Sequence, residues 1–254
     1  MDINSLFGLK GKSAIVTGAN TGLGQGISIA LASAGAHVYG VARRNCGETA
    51  AKIRENGGSF TELIVDLSSK DAVAQILEKA DVQAERIDIL VNNAGIIRRN
   101  DAAEVTEEDW DAVTDLNEKL VFFLSQAFAR RWIADGRGGK IINIASMLSY
   151  QGGIRVPAYT ASKSAILGMT RALANEWAKH GINVNAIAPG YMATNNTTQL
   201  RDDAARSEEI LSRIPAGRWG TPEDMAGAAI FLASEASSYM NGFTIAVDGG
   251  WLAR

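Results

Sequence analysis

The sequence is poor in everything that would staple or anchor a chain. Among 254 residues it holds one cysteine, Cys46, and two histidines, His37 and His180. A single thiol cannot close an intramolecular disulfide, and two histidines so far apart show no ligand spacing, so no metal is expected. The chain opens MDINSLFGLKGK, without the charged-then-apolar stretch of a secretory leader, and a reducing cytoplasm is the expected compartment. Long apolar runs are also missing. The uncharged stretch at residues 181–200 is broken by Pro189 and sprinkled with Asn and Thr, which excludes it as a membrane span. Nor is there a long basic run: 25 Lys and Arg against 28 Asp and Glu leave a net charge of −3, so nucleic acid is not an expected partner.

What is present fits a soluble globular domain, with 46% hydrophobic and 21% charged residues. Area scaling for such a mass lets about 70% of the unfolded surface be buried, so the core needs no staple. The apolar period alternates between two kinds of segment. SAIVTG (13–18), HVYGVA (37–42), FTELIV (60–65), IDILVNNAG (87–95), GKIINIAS (139–146), INVNAIAP (182–189) and GFTIAVDGG (242–250) read as strands. Between them lie helical patterns: GLGQGISIALASAGA stopped by Gly35, DAVAQILEKA (71–80), a long run from the N-cap Thr106 to about Ala134, residues 158–180, and a helix opened by Thr221 and Pro222. Short apolar strands joined by helices predict an α/β fold, a doubly wound parallel sheet of about seven strands in one domain, with helices on both faces. The polar insertion at about 191–215 follows a strand's carboxyl end and reads as a substrate lid.

The first strand runs into Thr17-Gly18-Ala19-Asn20-Thr21-Gly22-Leu23-Gly24, three glycines at a strand-to-helix turn. Glycine lets an anion approach the backbone, and the helix start supplies unpaired N–H groups, so the turn is a candidate pyrophosphate cradle. Where a dinucleotide's adenosine ribose would be read, at the end of the second strand, stand Arg43 and Arg44 rather than a carboxylate, which points to a 2′-phosphate with Arg43 the better placed. Asp66 and the neighbouring Leu67 follow the third strand, and Asn93-Ala94-Gly95 brings backbone close to the same region.

Tyr159 and Lys163 are four apart on one helical face. An ammonium at about 4 Å in an effective dielectric of about 20 is worth about 4 kcal/mol, enough to lower a phenol by about three pKa units. That would make Tyr159 a working acid/base near neutrality. Ser146, at a strand end, can hydrogen-bond the reacting oxygen. Asn117, a poor helix former inside the long helix, offers an amide that could anchor a water leading to Lys163.

These residues resemble the short-chain dehydrogenase/reductase family over essentially the whole length, through TGANTGLG, NNAG, Asn117, Ser146, YTASK and PGYMAT (189–194). The resemblance implies Tyr159 as acid/base, Ser146 as substrate orienter, Lys163 as ribose binder, Asn117 as water holder, and Pro189, Gly190, Met192 and Thr194 against the nicotinamide. SMLSYQGGIRVPAYTASK and IPAGRWG look like the family's sugar-acid dehydrogenases, which implies an anionic polyhydroxylated substrate, a homotetramer, and NAD as cofactor. The arginine at the second strand points to NADP instead, so NAD or NADP is left open. Met147, Gln151 and Tyr191 are candidate substrate contacts, and Arg155 or Arg98 is the candidate clamp for the carboxylate. The alternatives are a ketoreductase whose Arg130, Arg131 and Arg171 dock an acidic carrier protein, and a cofactor-binding regulator without chemistry. The complete Tyr/Lys/Ser/Asn set argues against the regulator.

Overall fold

The computed structural model describes residues 2–254. Its elements follow in the order α1 (Ile3–Phe7), β1 (Ser13–Thr17), α2 (Gly22–Ser33), β2 (His37–Ala42), α3 (Gly47–Glu55), β3 (Ser59–Ile64), α4 (Ala72–Gln83) and β4 (Ile89–Asn92). Next come α5 (Glu107–Thr114), α6 (Leu120–Ala134), β5 (Gly139–Ile144), α7 (Pro157–Trp177), β6 (Ile182–Pro189), α8 (Thr198–Asp202), α9 (Ala204–Arg213), α10 (Ala226–Ala233) and β7 (Thr244–Val247). The seven strands form one parallel sheet in the order β3-β2-β1-β4-β5-β6-β7.

Side chains alternate across a strand, so a sheet covered on both faces needs apolar residues at both parities. In β1, Ala14 and Val16 pack with Ile27 and Leu31 of α2 and with Ala229 and Leu232 of α10. Ile15 between them joins Ile76 of α4 and Leu124, Phe128 and Trp132 of α6 on the opposite face. Trp132 is fully buried, and its indole N–H is satisfied by the Ile87 carbonyl at 2.8 Å.

The order reverses direction at β1, whose neighbours are β2 and β4, and a crevice opens there at the carboxyl ends of the strands. Three departures from the sequence reading bear on that crevice. Residues 43–58, to which the sequence reading assigned no element, contain α3. The segment 107–134 is not one regular helix: Thr106 caps α5 through the Asp109 N–H (3.1 Å), but residues 115–119 form a π-helical turn before α6 resumes. Such turns insert an extra residue and re-aim a side chain, and this one carries Asn117. Finally, the insertion after β6 holds the two short helices α8 and α9.

Candidate active site

At the end of β1 each glycine has a separate reason. Gly18 (φ 69°) and Gly22 (φ 57°) adopt the left-handed conformation. A Cβ on Gly24 would lie 2.1 Å from the Gly18 carbonyl oxygen, so only glycine lets α2 begin this close to the strand. Thr21 at the N-cap of α2 makes no side-chain capping bond, and no acid sits in the first turn. The first N–H groups of α2 therefore face the cleft without a protein acceptor, which is the donor set a pyrophosphate requires. A dinucleotide fits these residues.

The turn is tied across the crevice to β4. The Thr17 hydroxyl accepts from the N–H groups of Asn93 and Ala94 (both 3.0 Å), and the Asn93 amide donates to the Thr17 carbonyl (2.8 Å). The cleft, about 1220 Å³, is lined at one end by Asn20, Thr21, Gly22, Leu23, Arg43, Asp66 and Leu67, and at the other by Asn93, Ala94, Gly95, Arg98, Ser146, Tyr159 and Lys163. Pro189, Gly190, Met192 and Thr194 close it from the β6 side. Arg43 faces the cleft and lowers the Asp66 carboxyl, whose main depression comes from the Ser68 hydroxyl and N–H.

Tyr159 sits in the first turn of α7, opened by Pro157, where the positive end of the helix dipole favours a phenolate. Lys163, one turn on, is 4% exposed, and its Nζ donates to the Ile144 carbonyl at 2.6 Å while lying 5.8 Å from the Tyr159 ring centroid. Burial brings the ammonium down to about 8. The Tyr159 phenol is pushed upward by burial, against which a hydrogen bond from Ser146 and the charge of Arg99 pull it down. Lys163 does not figure among the groups that pull the phenol down in the chain by itself, its ammonium being turned to the Ile144 carbonyl.

Ser146 caps a short 3₁₀ turn, Met147–Ser149, accepting from the Leu148 N–H at 3.1 Å. Ser149 accepts from the Ser146 N–H (3.2 Å) and donates to the Lys163 carbonyl (2.6 Å), fastening the end of β5 to α7. The sequence reading passed over Ser149, although the Ser-x-x-Ser spacing of a capping box was there to find. It also missed a buried ladder beneath the site: the Asn92 amide donates to Ser125 (3.0 Å) and Asn143 (2.9 Å), and Asn143 donates to Thr170 (3.0 Å).

Asn117 is fully buried, and its amide is spent on protein. The oxygen accepts from the Ile96 N–H (2.9 Å), and the nitrogen donates to the Ile96 carbonyl (2.9 Å) and Ser162 (3.3 Å). It pins the loop after β4 to α7, and its oxygen keeps one lone pair beyond the Ile96 N–H. Gly95 joins the cluster, since a methyl on it would lie 3.1 Å from the Asn117 oxygen and 3.8 Å from Lys163 Nζ.

The four remaining candidates stand off the cleft wall. Arg155, the one non-glycine residue with positive φ (62°) among those described, pairs with Asp101 (2.9 Å), and neither it nor Gln151 lines the cleft. Met147 is buried against Ile210, Ile214 and Trp251 of the insertion and C-terminal turn. Tyr191 packs edge-on against Trp219 (5.4 Å) and Trp251 (4.8 Å). Arg98 does line the cleft, but its Nε is 3.3 Å from Asp109.

A family model described as enoyl-(acyl carrier protein) reductase matches residues 18–252. A 2-dehydro-3-deoxy-D-gluconate 5-dehydrogenase of Dickeya dadantii (strain 3937) is 62% identical over 252 residues, covering 99% of this chain and 100% of the relative. An Agrobacterium tumefaciens crystal structure, proposed as a 2-deoxy-D-gluconate 3-dehydrogenase and holding NADP, superimposes with a TM-score of 0.93 at 57% identity, covering 98% of this chain and 99% of that one. A gluconate 5-dehydrogenase of Burkholderia cenocepacia J2315, in complex with NADP and tartrate, gives 0.93 at 38% identity over the whole of both chains. With the glycine turn, the Ser146, Tyr159 and Lys163 cluster and the sheet order all in place, the chain belongs to the short-chain dehydrogenase/reductase family.

Proposed function

We propose that this chain is an NAD(P)-dependent oxidoreductase interconverting a secondary hydroxyl and a ketone on a sugar acid, acting as a 2-dehydro-3-deoxy-D-gluconate 5-dehydrogenase, also called 2-deoxy-D-gluconate 3-dehydrogenase. The observation that carries the reading is the placement of Ser146, Tyr159 and Lys163 on one wall of a cleft whose far end is the α2 anion cradle. The 62% identity of a full-length relative with that activity supports the substrate class.

When bound, the nicotinamide supplies the acceptor or donor of hydride at its C4. In the oxidising direction the Tyr159 phenolate takes the proton of the substrate hydroxyl, and in the reducing direction the phenol returns it to the carbonyl oxygen. The Ser146 hydroxyl hydrogen-bonds that oxygen and orients it. Lys163 keeps one N–H on the Ile144 carbonyl and has two left for ribose hydroxyls. The positive charge of an oxidised nicotinamide, when bound, would act against the burial that raises the phenol. Asn117 acts by holding the Ile96 loop against α7.

For the cofactor we propose NADP, with Arg43 on the 2′-phosphate, and NAD as the weaker alternative. The absence of a carboxylate at the end of β2 and the NADP held by both structural relatives support this. Residues 191–215 are proposed as the substrate lid. We also propose a cytoplasmic homotetramer serving pectin or uronate breakdown. The exposed Trp110, Phe123, Tyr239 and Phe243 support self-association. The carrier-protein ketoreductase reading draws on the printed description of the family model, yet Arg131, one of its three docking arginines, is already held by Asp81.

The test follows reduced-nicotinamide absorbance with a panel of 3-deoxy and 2-keto aldonates and an acetoacetyl thioester, using each cofactor in turn. Turnover of a sugar acid is expected, and Tyr159→Phe should lower kcat by about 10²- to 10⁴-fold while dinucleotide binding persists. Equal turnover by Tyr159→Phe, or activity on the thioester alone, would refute the reading.

A further inference from the structure

The IPAGRWG segment (214–220) straddles the end of the lid, and a short turn with Pro222 follows it; none of residues 218–224 lines the cleft. The backbone there is nonetheless paired with a segment that does. Gly220 donates its N–H to the Tyr191 carbonyl (2.9 Å) and accepts from the Ala193 N–H (2.7 Å), so one residue holds the chain on both sides of Met192. The approach is close, since Met192 Sδ fills the space that a Cβ on Gly220 would need. Beyond it Pro222 lies against α2, where a Cβ on Gly26 would come within 2.6 Å of the proline ring. Residues 218–224 thus form a strap from the helix of the anion cradle to the segment that carries Met192 and Thr194 to the cleft wall.

A single carboxylate closes this strap on itself. Asp224 accepts from the Thr221 N–H (2.7 Å) and from both terminal nitrogens of Arg218 (2.7 and 2.8 Å), and Arg218 donates as well to the Trp219 carbonyl (3.1 Å). The Arg218 bonds first, and the Thr221 N–H after them, hold the carboxyl down at about 2, so it is ionised at neutral pH. Hydrogen bonds to an ionised acceptor are about twice as strong as neutral ones, which suits a group that fixes a backbone path.

We propose that Asp224 is a positioning residue for the nicotinamide end of the cofactor site. By fixing residues 218–221 it keeps Gly220 on the Met192 backbone, and so keeps Met192 and Thr194 at the cleft wall without touching the cofactor itself. The inference rests on the dinucleotide reading above, with the nicotinamide against residues 189–194. Arg43 serves the opposite end of the same ligand, so the two groups are separable by experiment.

The experiment measures the dissociation constant of NADPH by fluorescence titration, and that of 2′-phospho-ADP-ribose, the same molecule without its nicotinamide, by calorimetry. NADH and ADP-ribose form a second pair that does not depend on the 2′-phosphate. Asp224→Ala should weaken the dinucleotide about tenfold, as expected for the loss of charge-assisted bonds, and leave the fragment unchanged. Arg218→Gln removes an exposed ion pair and spares the Thr221 bond, so its effect should be smaller than that of Asp224→Ala. Asp224→Asn keeps an acceptor for the Thr221 N–H and should fall between wild type and Asp224→Ala; where Asp224→Ala does not fold, this variant carries the comparison. Equal weakening of dinucleotide and fragment, as a general loss of structure would give, or no weakening of the dinucleotide, overturns the inference alone. A wild type that binds the dinucleotide no more tightly than the fragment removes the placing of the nicotinamide and this inference together.

Discussion

Replacing Lys163 by methionine should stabilise the chain while destroying its activity. The ammonium is 4% exposed, and burial lowers it from 10.5 to about 8. That difference corresponds to about 3 kcal/mol of unfavourable free energy carried by the folded state at neutral pH. Methionine fills nearly the same volume without charge, but it orphans the Ile144 carbonyl, which loses its donor at a cost of about 1 kcal/mol. Lys163→Met should therefore gain about 2 kcal/mol at pH 7, a rise of roughly 4–8 °C in Tm for a chain of this length. The sign also fixes the pH dependence. The folded-state pKa lies below the unfolded one, so the penalty is fully present below about pH 8 and is relieved as pH rises towards 10.5, where the unfolded chain still holds the proton and the folded chain has lost it. The wild type should gain stability relative to Lys163→Met across that window and above it should be the more stable by about 1 kcal/mol, since the neutral amine still donates to the Ile144 carbonyl. Denaturant unfolding of both proteins at matched concentration between pH 7 and 10.5 measures this. A variant less stable than wild type at pH 7, or a difference flat with pH, would refute the reasoning.

Two other changes test the cofactor end. Gly24→Ala places a methyl 2.1 Å from the Gly18 carbonyl oxygen, so the turn and α2 must separate. Dinucleotide binding followed by fluorescence titration should be lost, with a stability cost of about 1–3 kcal/mol in thermal unfolding. Arg43→Ala should lower kcat/KM for NADP about tenfold and leave that for NAD unchanged, as expected for one exposed charge-assisted phosphate contact. An unchanged ratio between the two cofactors would remove Arg43 from the 2′-phosphate.

The features read most directly from the sequence were those set by neighbours in the chain. The runs at 37–42 and 182–189 are β2 and β6 to the residue, since a strand buried on both faces carries apolar residues at both parities, and the two asparagines in β6, Asn183 and Asn185, donate to the Ser238 and Met240 carbonyls. The Tyr159 and Lys163 pairing follows from four-residue spacing on any helix. The protein contacts of the Asn117 amide were not legible, because the π turn at 115–119 has no local signature. It is imposed by the packing of Asn117 against Ile96 and Ser162, residues 21 and 45 positions away.

By itself, then, the sequence determined the alternation of strand and helix, the glycine turn and the spacing of the reactive side chains, because each depends on contacts within a few residues. The tertiary structure alone decided which of three candidate arginines are held by a carboxylate. Arg98, Arg99 and Arg155 carry the same local signal and are distinguished only by Asp109, Asn196 and Asp101, brought to them by loops from elsewhere in the chain. It also decided the charge state of the site. A phenol beside an amine reads as activated, but burial acts on both groups and opposes both charges, and burial is a property of the assembled cleft.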